Sequence, residues 1–316
     1  MTDLREAGET APSETGKRKM SRKEKRQQAA AAAAQGGAAL VEQFVPPQDR
    51  ASRSAKVVTV FAPKGGAGKT TVSTNLAVVL NGQGHNKVCL IDIDVEFGDV
   101  AIALKIAPTN TILDFIQALP NTNLDQRREN AITHFVPNLD CILAPVSPAD
   151  SEFVTARAVR ELIDNLRPHY DFIVVDTPPH LGEHVLEAMD MADAHVVLTT
   201  PEVTALKNLR LALDMFDLLG YDRSLRWVVF NKADKQIGLT AEDSSKVLGL
   251  PIAVQVPSSS DIPTSVNRGV PIALSHPDHP VSASIRALAE ASVTHGPIVP
   301  EQAGGRRRFT LRMRQK

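Results

Sequence analysis

Four short stretches carry residue types whose order suits the chemistry of phosphate esters. The first is Pro63-Lys64-Gly65-Gly66-Ala67-Gly68-Lys69-Thr70-Thr71. Glycine has no Cβ and tolerates positive φ, so backbone N–H groups can curl around an anion. A helix opening near Thr70 adds its unpaired N–H groups and the positive end of its dipole. In a loop of this kind Lys69 reaches the β- and γ-phosphates and the Thr70 hydroxyl completes a Mg²⁺ shell. The loop departs from the usual G-x-x-x-x-G-K-[ST] at one point: Pro63 stands six before Lys69, and a second lysine, Lys64, follows it.

The second stretch is Asp92 with Asp94, at the end of the apolar run from Lys87 to Ile93. A strand buried on both faces does not finish on two carboxylates without a use for them. One is expected to hold Mg²⁺ and the other to orient an attacking water, although capping of the next loop accounts for Asp92 taken alone. The third is Asp176, which follows the four apolar residues Phe172-Ile173-Val174-Val175 as in a Walker B strand, where the carboxylate faces the metal. Residues Thr177 to Glu183 leave that strand where they can sense a γ-phosphate. His180 and His184, four apart, lack a third ligand at sensible spacing and read as ordinary surface or switch-loop residues. The fourth is Asn231-Lys232-Ala233-Asp234, whose asparagine amide can read a base because it both donates and accepts. Asn-Lys-x-Asp also resembles a guanine-reading motif, but the phosphate loop is of a different type. Pro257, ending a later strand, is counted with the nucleotide-binding positions.

These residues need a scaffold that gathers strand ends. Val57 to Ala62 is a continuous apolar run of strand length. Thr70 to Gly82 then places Val72, Leu76, Val79 and Leu80 at helical spacing, so strand, glycine loop and helix come in the order the motif requires. Further strands are expected at 139–144, 194–199, 226–230 and 252–256. Helices are expected at 111–116, 125–133, 147–166, 205–219, 262–271 and 281–293, with Ser147 or Asp150 capping the third. The fold class is α/β: a doubly wound, mostly parallel sheet flanked by helices, with ligands held outside the carboxyl ends of its strands.

With 316 residues and a formal net charge of −1, the chain can bury a large core, and overall charge argues for no partner. No apolar run approaches the ~18 residues of a membrane span, and no apolar signal core opens the chain, so a soluble, cytoplasmic protein is expected. Cys89 and Cys141 lie in apolar strand-like runs and read as small buried hydrophobes. The basic residues concentrate at the ends. Residues 1–55 read as a disordered, basic and alanine-rich tail, residues 56–296 as the folded domain, and residues 297–316 as a basic tail. The last of these intersperses Phe309, Leu311 and Met313 among arginines with no acidic residue. Such a segment is suited to weak contact with an anionic membrane or with DNA.

Taken together, Lys64 to Thr71, Asp92-x-Asp94, Asp176-Thr177-Pro178-Pro179 and Asn231 resemble the deviant Walker A ATPases, the MinD/ParA group, from about Val57 to Leu288. Phe97-Gly98-Asp99-Val100, Ala205 to Arg210 and Asn267 to Pro271 look most like the CpaE/TadZ branch, associated with Flp/tad pilus assembly and polar placement. That branch commonly carries a receiver-like domain before the ATPase, and here a tail stands in its place. The resemblance implies ATP and Mg²⁺ as cofactors and slow hydrolysis. It also implies an ATP-bridged homodimer in which Lys64 reaches the partner's phosphates. Asp94 would position water, and Thr70, Asp92 and Asp176 would serve the metal. The implied role is a switch that localises a pilus or secretion machine, acting in the cytoplasm or at the inner face of the membrane. The alternative is septum placement or DNA partitioning on membrane or nucleoid.

Overall fold

The computed structural model describes residues 54–118, 122–234 and 239–294. Apart from Ser54 and Ala55, both tails lie outside the described residues. Ala55, expected in the tail, belongs to the fold: it is buried, and its N–H donates to the Arg167 carbonyl at 2.9 Å.

Among the described residues the sheet has eight strands: β1 (Lys56–Phe61), β2 (Val88–Asp92), β3 (Thr133–Val136), β4 (Leu139–Ile142), β5 (Phe172–Asp176), β6 (Ala194–Thr199), β7 (Arg226–Ala233) and β8 (Ile252–Pro257). Their spatial order is β3-β4-β2-β5-β1-β6-β7-β8, and every neighbouring pair is parallel except β3 with β4. The cause is visible in β1, where Val57 and Phe61 pack into one core and Val58 and Val60 into the other. A strand buried on both faces needs helices on both. One layer comprises α1 (Lys69–Asn81), α2 (Asp99–Leu104), α10 (Ile272–Ser275) and α11 (Pro280–Thr294). The opposite layer comprises α3 (Ile112–Ile116), α4 (Leu124–Ala131), α5 (Ala156–Leu166), α6 (Glu183–Asp190), α7 (Val203–Leu218) and α8 (Ala241–Leu248). Helix α9 (Asp261–Arg268) borders the carboxyl ends of the strands, where Ile262 and Val266 face a cavity.

The doubly wound parallel sheet is as expected, and the differences are local. The stretch 147–166 is not one helix. A 3₁₀ segment at Pro148–Phe153 breaks at Val154, and Thr155, not Ser147 or Asp150, caps α5 by accepting from the Ala158 N–H at 3.2 Å. Residue Thr133, expected at a helix end, opens the antiparallel edge strand β3. Helices α2, α6, α8 and α10 were not anticipated.

Candidate functional site

Strand β1 ends at the middle of the sheet, between β5 and β6, and the chain leaves it through the glycine loop into α1. Gly66 (φ 73°) and Gly68 (φ 93°) are both left-handed, a conformation that costs a side-chain-bearing residue strain. At Gly68 a second constraint applies, since a Cβ there would stand 2.4 Å from Asn231 Nδ2. Asn231 Nδ2 donates to the Ala67 carbonyl at 2.7 Å, and Lys232 Nζ donates to the Gly66 carbonyl at 2.8 Å. The loop borders a cavity of about 610 Å³. Gly66, Gly68, Lys69, Thr70, Thr71 and Asp94 line it together with Asn231, Pro257, Ile262 and Ile285. Gly65 has open space where a Cβ would be. Ala67 is buried beneath the loop.

The carboxylates stand beside this loop on buried strand ends. Asp92 and Asp176 are register partners on β2 and β5. Ser73 Oγ donates to Asp176 Oδ1 at 2.8 Å, and the Thr70 hydroxyl bonds the same carboxylate. Burial pushes Asp176 up to about 6, against the pull of those two hydroxyls and of Lys69. Burial, then the neighbouring Asp176, holds Asp92 well above the usual carboxylate range. Asp94 is half-buried and also raised, by burial first, with Lys69 opposing. Burial thus disfavours the charge on each of these carboxylates, a cost that a nearby cation would relieve. The Oδ1 atom of Asp94 is buried and has no hydrogen-bond partner among the described residues. Hard oxygen donors from Thr70 and Asp176 suit Mg²⁺.

Asp92, expected to serve the metal, has a further role within the chain. Its Oδ1 accepts from the Asp94 N–H and its Oδ2 from the Val100 N–H, each at 3.0 Å. Through these backbone donors the residue ties down the loop that carries Asp94 and opens α2.

The outer rim of the loop is exposed. Lys64 Nζ forms an ion pair with Glu202 Oε2, just before α7, and lies 3.4 Å from Thr204 Oγ1. The lysine hydrogen bond holds Glu202 below its usual range. The rings of His180 and His184 stand 6.2 Å apart edge-on, and no cluster of three metal-ligating side chains occurs among the described residues.

Lys69, Thr70 and Asp94 thus line one cavity with Asn231 and Pro257, Asp176 is bonded to Thr70, and Lys64 lies outside that lining, on the exposed outer rim of the loop with Glu202. Sequence reasoning missed Ser73, Glu202, Thr204 and the side-chain role of Lys232. Ser73 was legible in principle, because it stands one helical turn beyond Lys69 on the face that meets the sheet. Glu202 carries no local signal, since its pairing with Lys64 spans 138 positions.

A family model described as an AAA domain matches residues 55–222. The septum site-determining protein MinD of Thermotoga maritima is 29% identical over 227 residues, covering 69% of this chain and 81% of that protein. Among solved structures, septum site-determining protein MinD complexed with Mg-ADP from Pyrococcus horikoshii superposes with a TM-score of 0.64 at 24% identity, over 75% of this chain and 95% of that one. A ParA family ATPase from Chlorobium tepidum gives a TM-score of 0.67 at 24% identity, over 75% and 99%. At these identities the two structures speak to the fold, which is that of the P-loop NTPases.

Proposed function

The chain belongs to the AAA-domain family of MinD/ParA-type P-loop ATPases, and on that premise we propose that it is a Mg²⁺-dependent ATPase whose nucleotide state switches a homodimer. One observation carries the reading: a loop with two left-handed glycines opens α1 against a cavity lined by Thr70 and Asp94, and the Thr70 hydroxyl bonds the buried Asp176. The loop N–H groups and the α1 dipole bind the phosphates, and Lys69 neutralises the β- and γ-phosphates. Thr70 and Asp176 hold Mg²⁺, which supplies charge neutralisation on the phosphate oxygens. Asp94 accepts a proton-bearing water through its unpartnered oxygen and aims it at the γ-phosphate. Asn231 and Pro257 border the base.

Lys64 serves as the deviant Walker A lysine. It leaves Glu202 and reaches across a two-fold axis to the partner's ATP, a cation in trans where charge spreads in the transition state. Hydrolysis, slow because it waits on assembly, then releases the dimer. The stretches around Phe97, Ala205 and Asn267 favour a CpaE/TadZ-like role in placing or assembling a pilus or secretion apparatus. The names of the curated relatives favour the second reading, septum placement or partitioning. No described helix is long and apolar enough to cross a membrane. We place the protein in the cytoplasm, with peripheral contact through its basic tails.

Light scattering with and without Mg-ATP tests the switch. The parent chain is expected to dimerise with ATP, and Lys64→Ala to bind ATP yet stay monomeric. A Lys64→Ala chain that dimerised as well as the parent would remove the trans lysine from the mechanism. Co-sedimentation with anionic liposomes or DNA, with and without residues 304–316, distinguishes the surfaces. Neighbouring genes for pilins and a secretion ATPase, or for a centromere-binding partner, separate the two roles.

A further inference from the structure

Successive residues of a β-strand point to opposite faces of the sheet. At the end of β7 this rule is broken, because Asn231 and Lys232 are consecutive and both reach the same loop, the first at the Ala67 carbonyl and the second at the Gly66 carbonyl. The backbone shows how. Phe230 pairs with Gln255 and Ala233 with Pro257, so two residues of β7, Asn231 and Lys232, oppose one of β8. Lys232 itself is left-handed, with φ 56°. This is a β-bulge, and bulges re-aim side chains beside active sites. A left-handed lysine is strained unless the surroundings hold it there. The contact to Gly66 is what the bulge secures.

The peptide plane turns those two contacts into a statement about the anion site. In a trans peptide the carbonyl of one residue and the N–H of the next point in opposite directions. Fixing the Gly66 carbonyl outward on Lys232 therefore aims the Ala67 N–H to the other side of the loop. Fixing the Ala67 carbonyl on Asn231 does the same for the Gly68 N–H. Gly66, left-handed and without a Cβ to restrict its φ and ψ, does not by itself fix the Gly66–Ala67 plane, so that plane needs an outside hold. We propose that Lys232 is a positioning residue of the phosphate site: its ammonium holds the Gly66–Ala67 peptide with its N–H turned toward the bound phosphates. The proposal rests on the nucleotide-binding reading above. It assigns the lysine of the Asn-Lys-x-Asp stretch a role that does not depend on the base.

The test compares Lys232→Met, Lys232→Arg and Lys232→Asn in the full chain, by titration with Mg-ATP and Mg-ADP and by turnover at saturating ATP. Methionine keeps the reach and the backbone strain but loses the donor. Its Kd for Mg-ATP and for Mg-ADP is expected to rise by the same factor, about five- to tenfold, with kcat within twofold of the parent. The equal factors arise because the contact organises the loop and not the γ-phosphate. Arginine keeps a cationic donor and is expected to recover most of the loss. Asparagine tolerates the left-handed backbone but is too short, and is expected to bind as weakly as methionine. If Lys232→Met melted early without nucleotide, the arginine and asparagine variants would carry the same comparison, one tight and one weak. Parent-like binding in both Met and Asn variants overturns the proposal, as does a loss confined to kcat or an arginine variant no better than methionine. A parent chain that bound neither nucleotide would instead remove the nucleotide reading itself.

Discussion

The phosphate loop has an inner and an outer rim, built on opposite terms. On the inner rim, Asp92, Asp176, Ser73 and Lys69 are buried, and the carboxylates are hydrogen-bonded within the chain. On the outer rim, the Lys64 and Glu202 side chains are 35% and 59% exposed, and one hydrogen-bonded ion pair holds them together. Buried charge is stable only when its partners are fixed, so the inner rim cannot rearrange cheaply and is suited to holding a metal and phosphates in one geometry. An exposed ion pair contributes little and breaks easily. The outer rim can therefore change partners, which is what a lysine serving a second subunit must do.

The sharpest way to break this comparison is to remove one lysine from each rim. Lys69→Ala takes a buried cation from the phosphate site and is expected to weaken Mg-ATP binding by about 100-fold, the worth of a charge-assisted contact in a desolvated site. Lys64→Ala is expected to leave monomer binding within about threefold, because its partner in the free chain is an exposed carboxylate. Its defect should be confined to ATP-dependent dimerisation. Equal losses of affinity in the two variants, measured by calorimetry, would erase the distinction between the rims.

The inner rim also carries a stability cost that the outer rim lacks. Burial raises Asp176 from its ordinary 3.8 to about 6. Between those values the folded chain keeps a proton that the unfolded chain has released. Stability therefore falls as pH rises through that window and stays lower above it. Asp92 acts in the same direction. Asp176→Asn removes the charge without changing shape, and should make the nucleotide-free protein more stable at pH 7 by on the order of 2–3 kcal/mol. The gain should vanish near pH 4, and the variant should lose Mg²⁺-dependent nucleotide affinity. Urea unfolding at the two pH values measures it, and an Asn variant less stable at both would refute the assignment.

A further variant probes the loop itself. Gly68 is left-handed and lies against Asn231, so Gly68→Ala adds strain and a clash that Asn231 must move to relieve. A cost of about 1–3 kcal/mol is expected in thermal unfolding, together with loss of nucleotide binding as the Ala67 carbonyl is released. A variant that melted and bound like the parent would mean that the loop is softer than its contacts indicate.

The inner-rim carboxylates and both loop lysines were legible in the sequence, and the outer-rim partner Glu202 was not, for a physical reason. Strands β1, β2 and β5 are buried on both faces, so each reads as an apolar run, and an aspartate ending such a run stands out. Edge strand β3, with none of its four residues buried, has no such run, and its first residue was read as a helix end. Helix α8 is short, yet its Thr240 cap and acidic first turn were available as signals. The role of Asp92 was half legible: its burial could be inferred, but that both oxygens go to backbone N–H groups depends on the path of the next loop. Glu202 acquires its role only by pairing with a loop lysine 138 positions away, and the bulge at Lys232 exists only in the pairing of β7 with β8. The run from Arg226 to Phe230 gives no hint that β7 continues through a left-handed residue.

The smallest expected effect tests the outer rim by itself. Glu202→Gln keeps a hydrogen-bond acceptor for Lys64 but removes the charge. The pair is exposed, so the monomer's melting temperature should not move measurably. What should change is the ease with which Lys64 leaves, because a neutral amide holds an ammonium less well than a carboxylate does. ATP-dependent dimerisation is expected to strengthen by about two- to threefold in low salt, and the difference should fade near 1 M salt, where screening shortens to ~3 Å. Sedimentation at the two ionic strengths reads this directly. A weaker dimer in Glu202→Gln would mean that Glu202 acts in the dimer itself, as a contact of the outer rim that lasts after Lys64 has moved.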